Sequence, residues 1–258
     1  MFTKSMRAPD SFASRMKEYE TTAQQMLLRR TPVIMRMDGK GFSRLTRGMK
    51  KPFDEDLAAC MYAAALRVLA EAQNVRLAYV QSDEISLLLT DFRQLGTEPW
   101  FGNSVQKLCS VGAALTTTGF CEMFMQRFAE LCRPGRLPVF DARCFNLPRE
   151  EVTNYFVWRQ RDCERNSVSI TAQTHLPHKE LQGLNRTQMV ELLRLKSGVE
   201  WDALPTAFKS GVVFTRELVS WEGQGSTTRA RWTLADAPVF SHKRDFIERF
   251  LREEEDRV

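Results

Sequence analysis

The chain has 258 residues, 43% of them hydrophobic and 27% charged, which suits one generous globular domain or one domain with an extension. No apolar run approaches the roughly 18–20 residues of a membrane span. The N-terminal MFTKSMRAPDSF lacks the apolar core of a signal peptide, so a cytoplasmic protein with no membrane partner is expected. The net charge of +5 equals the surplus of one short stretch: Arg36, Lys40, Arg44, Arg47, Lys50 and Lys51 stand against a single acid, Asp38. Alone such a stretch is a solvated face, but around a Gly-rich turn it attracts phosphates.

The polar lead-in of residues 1–28 reads as helical, and TPVIMRM (31–37) as a buried strand entering a turn at Asp38-Gly39. Leu57, Met61, Ala65, Val68 and Ala72 recur at helical spacing, predicting a helix over 54–73. Residues 75–82 and 85–90 read as strands parted only by Asp83-Glu84, hence a hairpin. A second helix is expected over 103–131 and a fourth strand over 137–145. This order is the α+β, ferredoxin-like split βαβ arrangement, an antiparallel sheet with helices on one face. Helices near 149–163 and 186–197, a hairpin from 211–218 and 228–234, and the amphipathic tail KRDFIERFLREEE complete the chain. The expected division is a catalytic domain with its lead-in over 1–150 and a helical and hairpin extension over 151–258.

Cys60, Cys109, Cys121, Cys132, Cys144 and Cys163 form no CxxC pair, so zinc and disulfide frameworks give way to buried free thiols. His175 and His178 have no further metal ligand nearby in sequence.

Two acids stand out because this topology joins them. In a split βαβ sheet the first and third strands are antiparallel neighbours, so Asp38, ending one, meets Asp83, preceding the other. Separately each reads as an ordinary turn acid. Together, beside a basic stretch, they suit a hard divalent cation that also holds phosphates. The glycines of Asp38-Gly39-Lys40-Gly41-Phe42 let the backbone approach a triphosphate, and no Walker loop is present. Lys51 either adds positive charge there or is merely exposed.

The segments MRMDGKGFSRL, KPFDEDL, AYVQSDEISLLL, FDARCFNLP and YFVWRQRDCERNS, in this order, resemble the tRNA(His) guanylyltransferases and their guanylyltransferase-like relatives over roughly residues 30–217. The resemblance implies a polymerase-type palm that adds nucleotides to the 5′ end of tRNA in the 3′-to-5′ direction, with GTP and ATP as substrates. It implies two Mg²⁺ ions on Asp38, Asp83 and the carbonyl of Gly39. It assigns nucleotide binding to Asp38, Gly39, Lys40, Gly41, Phe42, Ser43, Lys51, Ser82 and Asp83, adds Glu84 to the catalytic acids, and suggests a homotetramer built from dimers. Glu164-Arg165-Asn166-Ser167 stands where the eukaryotic enzymes begin a HINNLYN block, which resembles the bacterial and archaeal members and favours template-directed repair of truncated tRNA over guanylate addition to tRNA(His). Arg159, Arg161 and Arg165 either face RNA or form a structural helix face. Palm topology alone leaves open a nucleotidyl cyclase, another palm polymerase or a non-catalytic RNA-binding module.

Overall fold

A computed structural model describes residues 11–92, 94, 96–132, 137–221 and 227–252. The lead-in contributes α1 (Ser11–Thr21), and its first ten residues lie outside the described set. Then β1 (Val33–Gly39) leads through a single turn, α2 (Phe42–Leu45), to α3 (Glu55–Glu71). The hairpin β2 (Val75–Gln81) and β3 (Glu84–Leu89) precedes α4 (Val105–Arg127) and β4 (Phe140–Asn146). The second part holds α5 (Arg149–His175), α6 (His178–Leu181), α7 (Arg186–Ser197) and α8 (Thr206–Ser210). The hairpin β5 (Val212–Trp221) and β6 (Thr227–Asp236) and the short α9 (Asp245–Glu248) close it.

All six strands form one antiparallel sheet in the order β4-β1-β3-β2-β5-β6. The first four are the expected split βαβ core. The late hairpin extends the same sheet, because β5 pairs with the free edge of β2. An unpaired edge is thereby covered by the chain itself.

Alternation along the strands divides the core. Met35 and Met37 on β1, Ile85 and Leu87 on β3 and Phe140 on β4 face α3 and α4, the two palm helices, which share that side. Asp54 starts α3 by accepting the N–H groups of Asp56 (3.0 Å) and Leu57 (3.2 Å). At Gly119 the two helices approach so closely that a Cβ would lie 2.5 Å from that of Arg67. By length and mean hydropathy α4 is apolar enough to cross a membrane although it holds no long unbroken apolar run; Leu108, Phe120 and Phe124 are buried in the core.

The opposite side carries α5, whose Val152, Tyr155 and Phe156 pack on Ile34, Tyr79 and Leu88 with Phe240 and Ile247 from the C-terminal segment. This helix runs twelve residues past the expected end at 163. Its polar-looking second half buries Ser167, Val168, Thr171 and Ala172, and Ala172 shares a small core with Leu193 of α7. The hydroxyls of Ser167 and Thr171 return to carbonyls one turn back, so a stretch with little apolar content stays helical without exposing unpaired groups. All six cysteines are free, with Cys60 and Cys163 buried and the other four half-buried.

Candidate active site

The predicted meeting of Asp38 and Asp83 occurs. Asp38 pairs with Glu84 across β1 and β3, and the Gly39 N–H donates to the Asp83 carbonyl at 3.0 Å. Ser82 and Asp83 form a two-residue turn, closed by the pairing of Gln81 with Glu84. Ser82 sits in the left-handed region (φ 49°), where a residue with a Cβ is strained, and its hydroxyl lies 3.1 Å from the Asp83 carboxylate. Burial first, and then the charge of Asp38, push the Asp83 carboxyl up from its ordinary 3.8 to about 6.

That upward shift tests whether the residues fit a cation. A half-buried carboxylate whose ionisation is opposed by burial and by a neighbouring carboxylate gains most from a divalent ion. Among the described residues no three His, Cys, Asp or Glu side chains converge to hold a metal by themselves. A pair of carboxylates that leaves most of the coordination to phosphates and water matches Mg²⁺ and not a structural zinc.

The carboxylates lie between two surfaces. On the α3 and α4 side runs the Gly-rich turn. The Phe42 ring is buried against Phe120 (5.3 Å) and Phe140 (5.1 Å), so Phe42 anchors the turn, and only its backbone remains for a ligand. That ring also explains Gly39, whose Cβ would lie 2.3 Å from it. Gly41 takes the left-handed conformation (φ 69°) and begins α2. Lys40, Ser43, Arg44, Lys50 and Lys51 are exposed. Phe53 stacks on Phe208 of α8 (4.5 Å, 11° between planes), fixing the segment that carries Lys51 to the second part of the chain.

On the α5 side a cavity of about 380 Å³ is lined by Asp38, Ser82, Asp83 and Glu84, by Arg36 and Gln81 of the sheet, and by Trp158, Arg159, Asp162 and Asn166 of α5. Lys40, Gly41, Ser43 and Lys51 are not part of its wall. Glu84 has a different setting from the two aspartates. It is 5% exposed, its Oε1 accepts from Arg159 Nε at 2.9 Å, and its other oxygen lies 3.7 Å from Arg36 Nε. Burial raises its carboxyl above the usual range although both arginines pull it down. Its carboxylate thus holds two guanidinium groups. Arg159 continues to Asp162 (2.7 Å), which Arg165 also engages. Of the three arginines considered for RNA, Arg159 is buried structure, Arg165 is exposed but tied to Asp162, and Arg161 is exposed.

A match to a family model described as tRNAHis guanylyltransferase covers residues 13–148. The chain belongs to the tRNA(His) guanylyltransferase family. It is 30% identical over 215 residues to the tRNA(His) guanylyltransferase of Debaryomyces hansenii, covering 78% of each chain. Two solved structures extend the likeness. One, a bacterial tRNA(His) guanylyltransferase-like protein in complex with ATP, superposes with a TM-score of 0.85 at 37% identity, covering 94% of this chain and 99% of that one. The other, a bacterial guanylyltransferase-like protein in complex with GTP, gives 0.78 at 34% identity with the same coverage. Membership decides what palm topology left open: the chain is a 3′–5′ nucleotidyltransferase.

Sequence reasoning missed the α5 wall. Gln81 lay beside the turn acids, Trp158 and Asp162 lay in a motif used only for resemblance, and Arg159 was weighed only as an RNA contact or a structural helix face. Helical periodicity could not say which side of a helix, buried on several sides, looks into a cavity. Asp141 was also missed: it stands opposite Asp38 on β4, exposed and paired with Arg143 at 3.0 Å.

Proposed function

We propose that this family member is a Mg²⁺-dependent enzyme that extends the 5′ end of truncated tRNA, choosing each nucleotide by pairing with the opposing base of the acceptor stem. The observation that carries the reading is the convergence of Asp38 and Asp83 at one sheet edge, with the basic Gly-rich turn on one side and the arginine-lined cavity on the other. A transferase that joins two phosphate-bearing substrates needs such a shared edge with two approaches.

Asp38, Asp83 and the Gly39 carbonyl would hold two Mg²⁺ ions. Bound there, Mg²⁺ supplies neutralisation of leaving phosphates and a lower pKa for the attacking hydroxyl. Backbone N–H groups of Gly41, Phe42 and Ser43, with Asp38, Gly39, Lys40 and Lys51 around them, receive the triphosphate of ATP or GTP. The RNA 5′-monophosphate oxygen attacks the α-phosphate, and pyrophosphate departs. The 3′-hydroxyl of the incoming nucleotide then attacks the activated 5′ phosphate, and the activating nucleoside monophosphate leaves. Arg36, half-buried in the cavity wall and held by Glu84, gives the 5′ phosphate a cationic seat. A cytoplasmic homotetramer built from dimers belongs to the same reading.

Repair, in preference to dedicated guanylate addition, is supported by how α5 uses Glu164-Arg165-Asn166-Ser167. Glu164 pairs with Arg186 (2.8 Å), Arg165 with Asp162, and Ser167 accepts the Trp201 indole N–H (3.1 Å), so three of these four residues are engaged inside the protein. The test swaps the template base in one truncated tRNA and sequences the 5′ end of the product. Incorporation should follow Watson–Crick pairing, because a mispaired nucleotide puts its 3′-hydroxyl out of line, and about 1 Å of misplacement can cost on the order of 10²-fold. Guanosine added opposite every base, or activity on tRNA(His) alone, would establish dedicated guanylate addition instead.

A further inference from the structure

The cavity contains a buried group that the proposed chemistry leaves unused. Gln81 ends β2 opposite Glu84, is 4% exposed and lines the cavity, yet its side-chain oxygen has no hydrogen-bond partner in the protein. Arg36 Nε, on the same wall, also lacks a hydrogen bond but lies 3.7 Å from the Glu84 carboxylate, whereas other buried polar groups of this layer are satisfied. Two residues before Gln81, Tyr79 gives its hydroxyl proton to the Ser210 carbonyl at 2.8 Å. Gln160 of α5 bonds three backbone groups, donating to Ser210 and Pro238 and accepting from Phe240. A buried amide oxygen without a partner weakens the fold, and it persists where a ligand completes it.

We propose that Gln81 contacts substrate, its side-chain oxygen accepting a hydrogen bond from the nucleoside seated in the cavity. This rests on the proposed function and names what that side of the site recognises. An acceptor cannot serve an ionised phosphate, which has no proton to give; Arg36 suits that part. The donor is a ribose hydroxyl or a base N–H. Position agrees: β3 separates β2 from β1, so at roughly 4.8 Å per strand Gln81 lies about 10 Å from Asp38, the distance at which the sugar and base of a nucleotide reacting at the carboxylates would lie.

Gln81→Met tests this, since methionine keeps the volume and removes the amide. Calorimetric titrations compare wild type and variant with ATP, GTP, their 2′-deoxy forms and ITP, and with a short 5′-phosphorylated RNA and its DNA counterpart. The expected result is an affinity loss of about tenfold for at least one ribonucleotide or RNA ligand, with a smaller loss for the analogue lacking the donor. A loss confined to ribose-containing ligands assigns a hydroxyl, and one confined to guanine over hypoxanthine assigns a base amino group. The melting temperature should stay level or rise, because the variant removes an unpaired buried polar atom. Equal binding of every ligand by both proteins overturns the proposal. So does a lower melting temperature with uniformly weakened binding, which would mark Gln81 as structural. Binding needs no turnover, so nucleotide addition by wild type, assayed in parallel, reports separately on the proposed function.

Discussion

The two faces of the palm sheet differ in kind. Towards α3 and α4 the strands present Val33, Met35 and Met37, then Ile85, Leu87 and Leu89, apolar from end to end. Towards α5 they begin the same way, with Ile34, Leu88 and Leu77, but past the Ser86–Tyr155 hydrogen bond (2.8 Å) they present Arg36, Asp38, Glu84 and Gln81. The first face does what cohesion asks of a sheet. The second gives up one end of its apolar surface to charged and polar groups, and that end borders the cavity. The substitution of charge for hydrocarbon marks where the fold serves chemistry, since buried ionic groups seldom stabilise more than a hydrophobic equivalent would.

Matched substitutions break the two faces in opposite ways. Asp38→Ala or Asp83→Ala should reduce nucleotide addition by about 10³-fold or more at saturating Mg²⁺, because each removes a carboxylate worth several kcal/mol to the transition state. Circular dichroism and melting should show the fold retained. Near-wild-type turnover by either variant would remove the two-metal assignment. On the other face, Phe120→Ala should cost about 3–5 kcal/mol of stability by leaving a cavity among Phe42, Phe124 and Phe140, with activity per folded molecule reduced far less. Denaturant titration beside active-site titration checks it.

The same contrast explains how much could be read beforehand. The palm strands and helices were legible because an apolar face writes a periodic pattern, and Asp38 and Asp83 were legible because topology alone places one strand's end beside another's start. The α5 wall was not. Val152 and Phe156 face the core while Arg159, also buried, faces Glu84, and no periodicity separates a buried ion pair from an exposed one. The helix's continuation to His175 was hidden for a related reason: Ser167 and Thr171 are buried through hydrogen bonds to their own helix, and polar letters read as solvent. Phe42 lies within the nucleotide motif, and its ring serves the core while its backbone stays with the turn.

Two substitutions sharpen the role of buried charge. Arg159→Met strips Glu84 of its 2.9 Å partner and should cost about 3 kcal/mol, the penalty of a buried charge left with only the more distant Arg36. Asp83→Asn should act oppositely on stability. In metal-free protein the folded pKa of about 6 lies above the ordinary 3.8, so the folded state binds the extra proton and stability falls as pH rises from about 4 to 6. Asparagine removes that fall. With chelator present, the variant should match wild type near pH 4 and melt higher at pH 7. A variant melting lower at pH 7 would mean that the Asp83 carboxylate is stabilising without metal. Adding Mg²⁺ should raise the wild-type melting temperature at pH 7 and leave Asp83→Asn nearly unchanged.

The smallest effect concerns the exposed charges of the basic turn, which lies beyond the carboxylates on the otherwise apolar side. Exposed cations and their surface pairs add little to folding, so replacing Arg44, Arg47 and Lys50 together by Gln should move the melting temperature only slightly. Their contribution belongs to binding. Each phosphate neutralised releases counterions, and each contact contributes about 0.7–0.9 to the slope of log affinity against log salt. The triple variant should therefore flatten the slope for tRNA by up to about 2–3, with the largest affinity loss at low salt and convergence with wild type at high salt. Measuring ATP in parallel separates the partners: a flattened slope for tRNA alone places the stretch along the RNA backbone, and one for ATP places it at the triphosphate. Unchanged slopes for both ligands would reduce Arg44, Arg47 and Lys50 to a solvated face and leave Lys40 and Lys51 to meet phosphates on that side of the carboxylate edge.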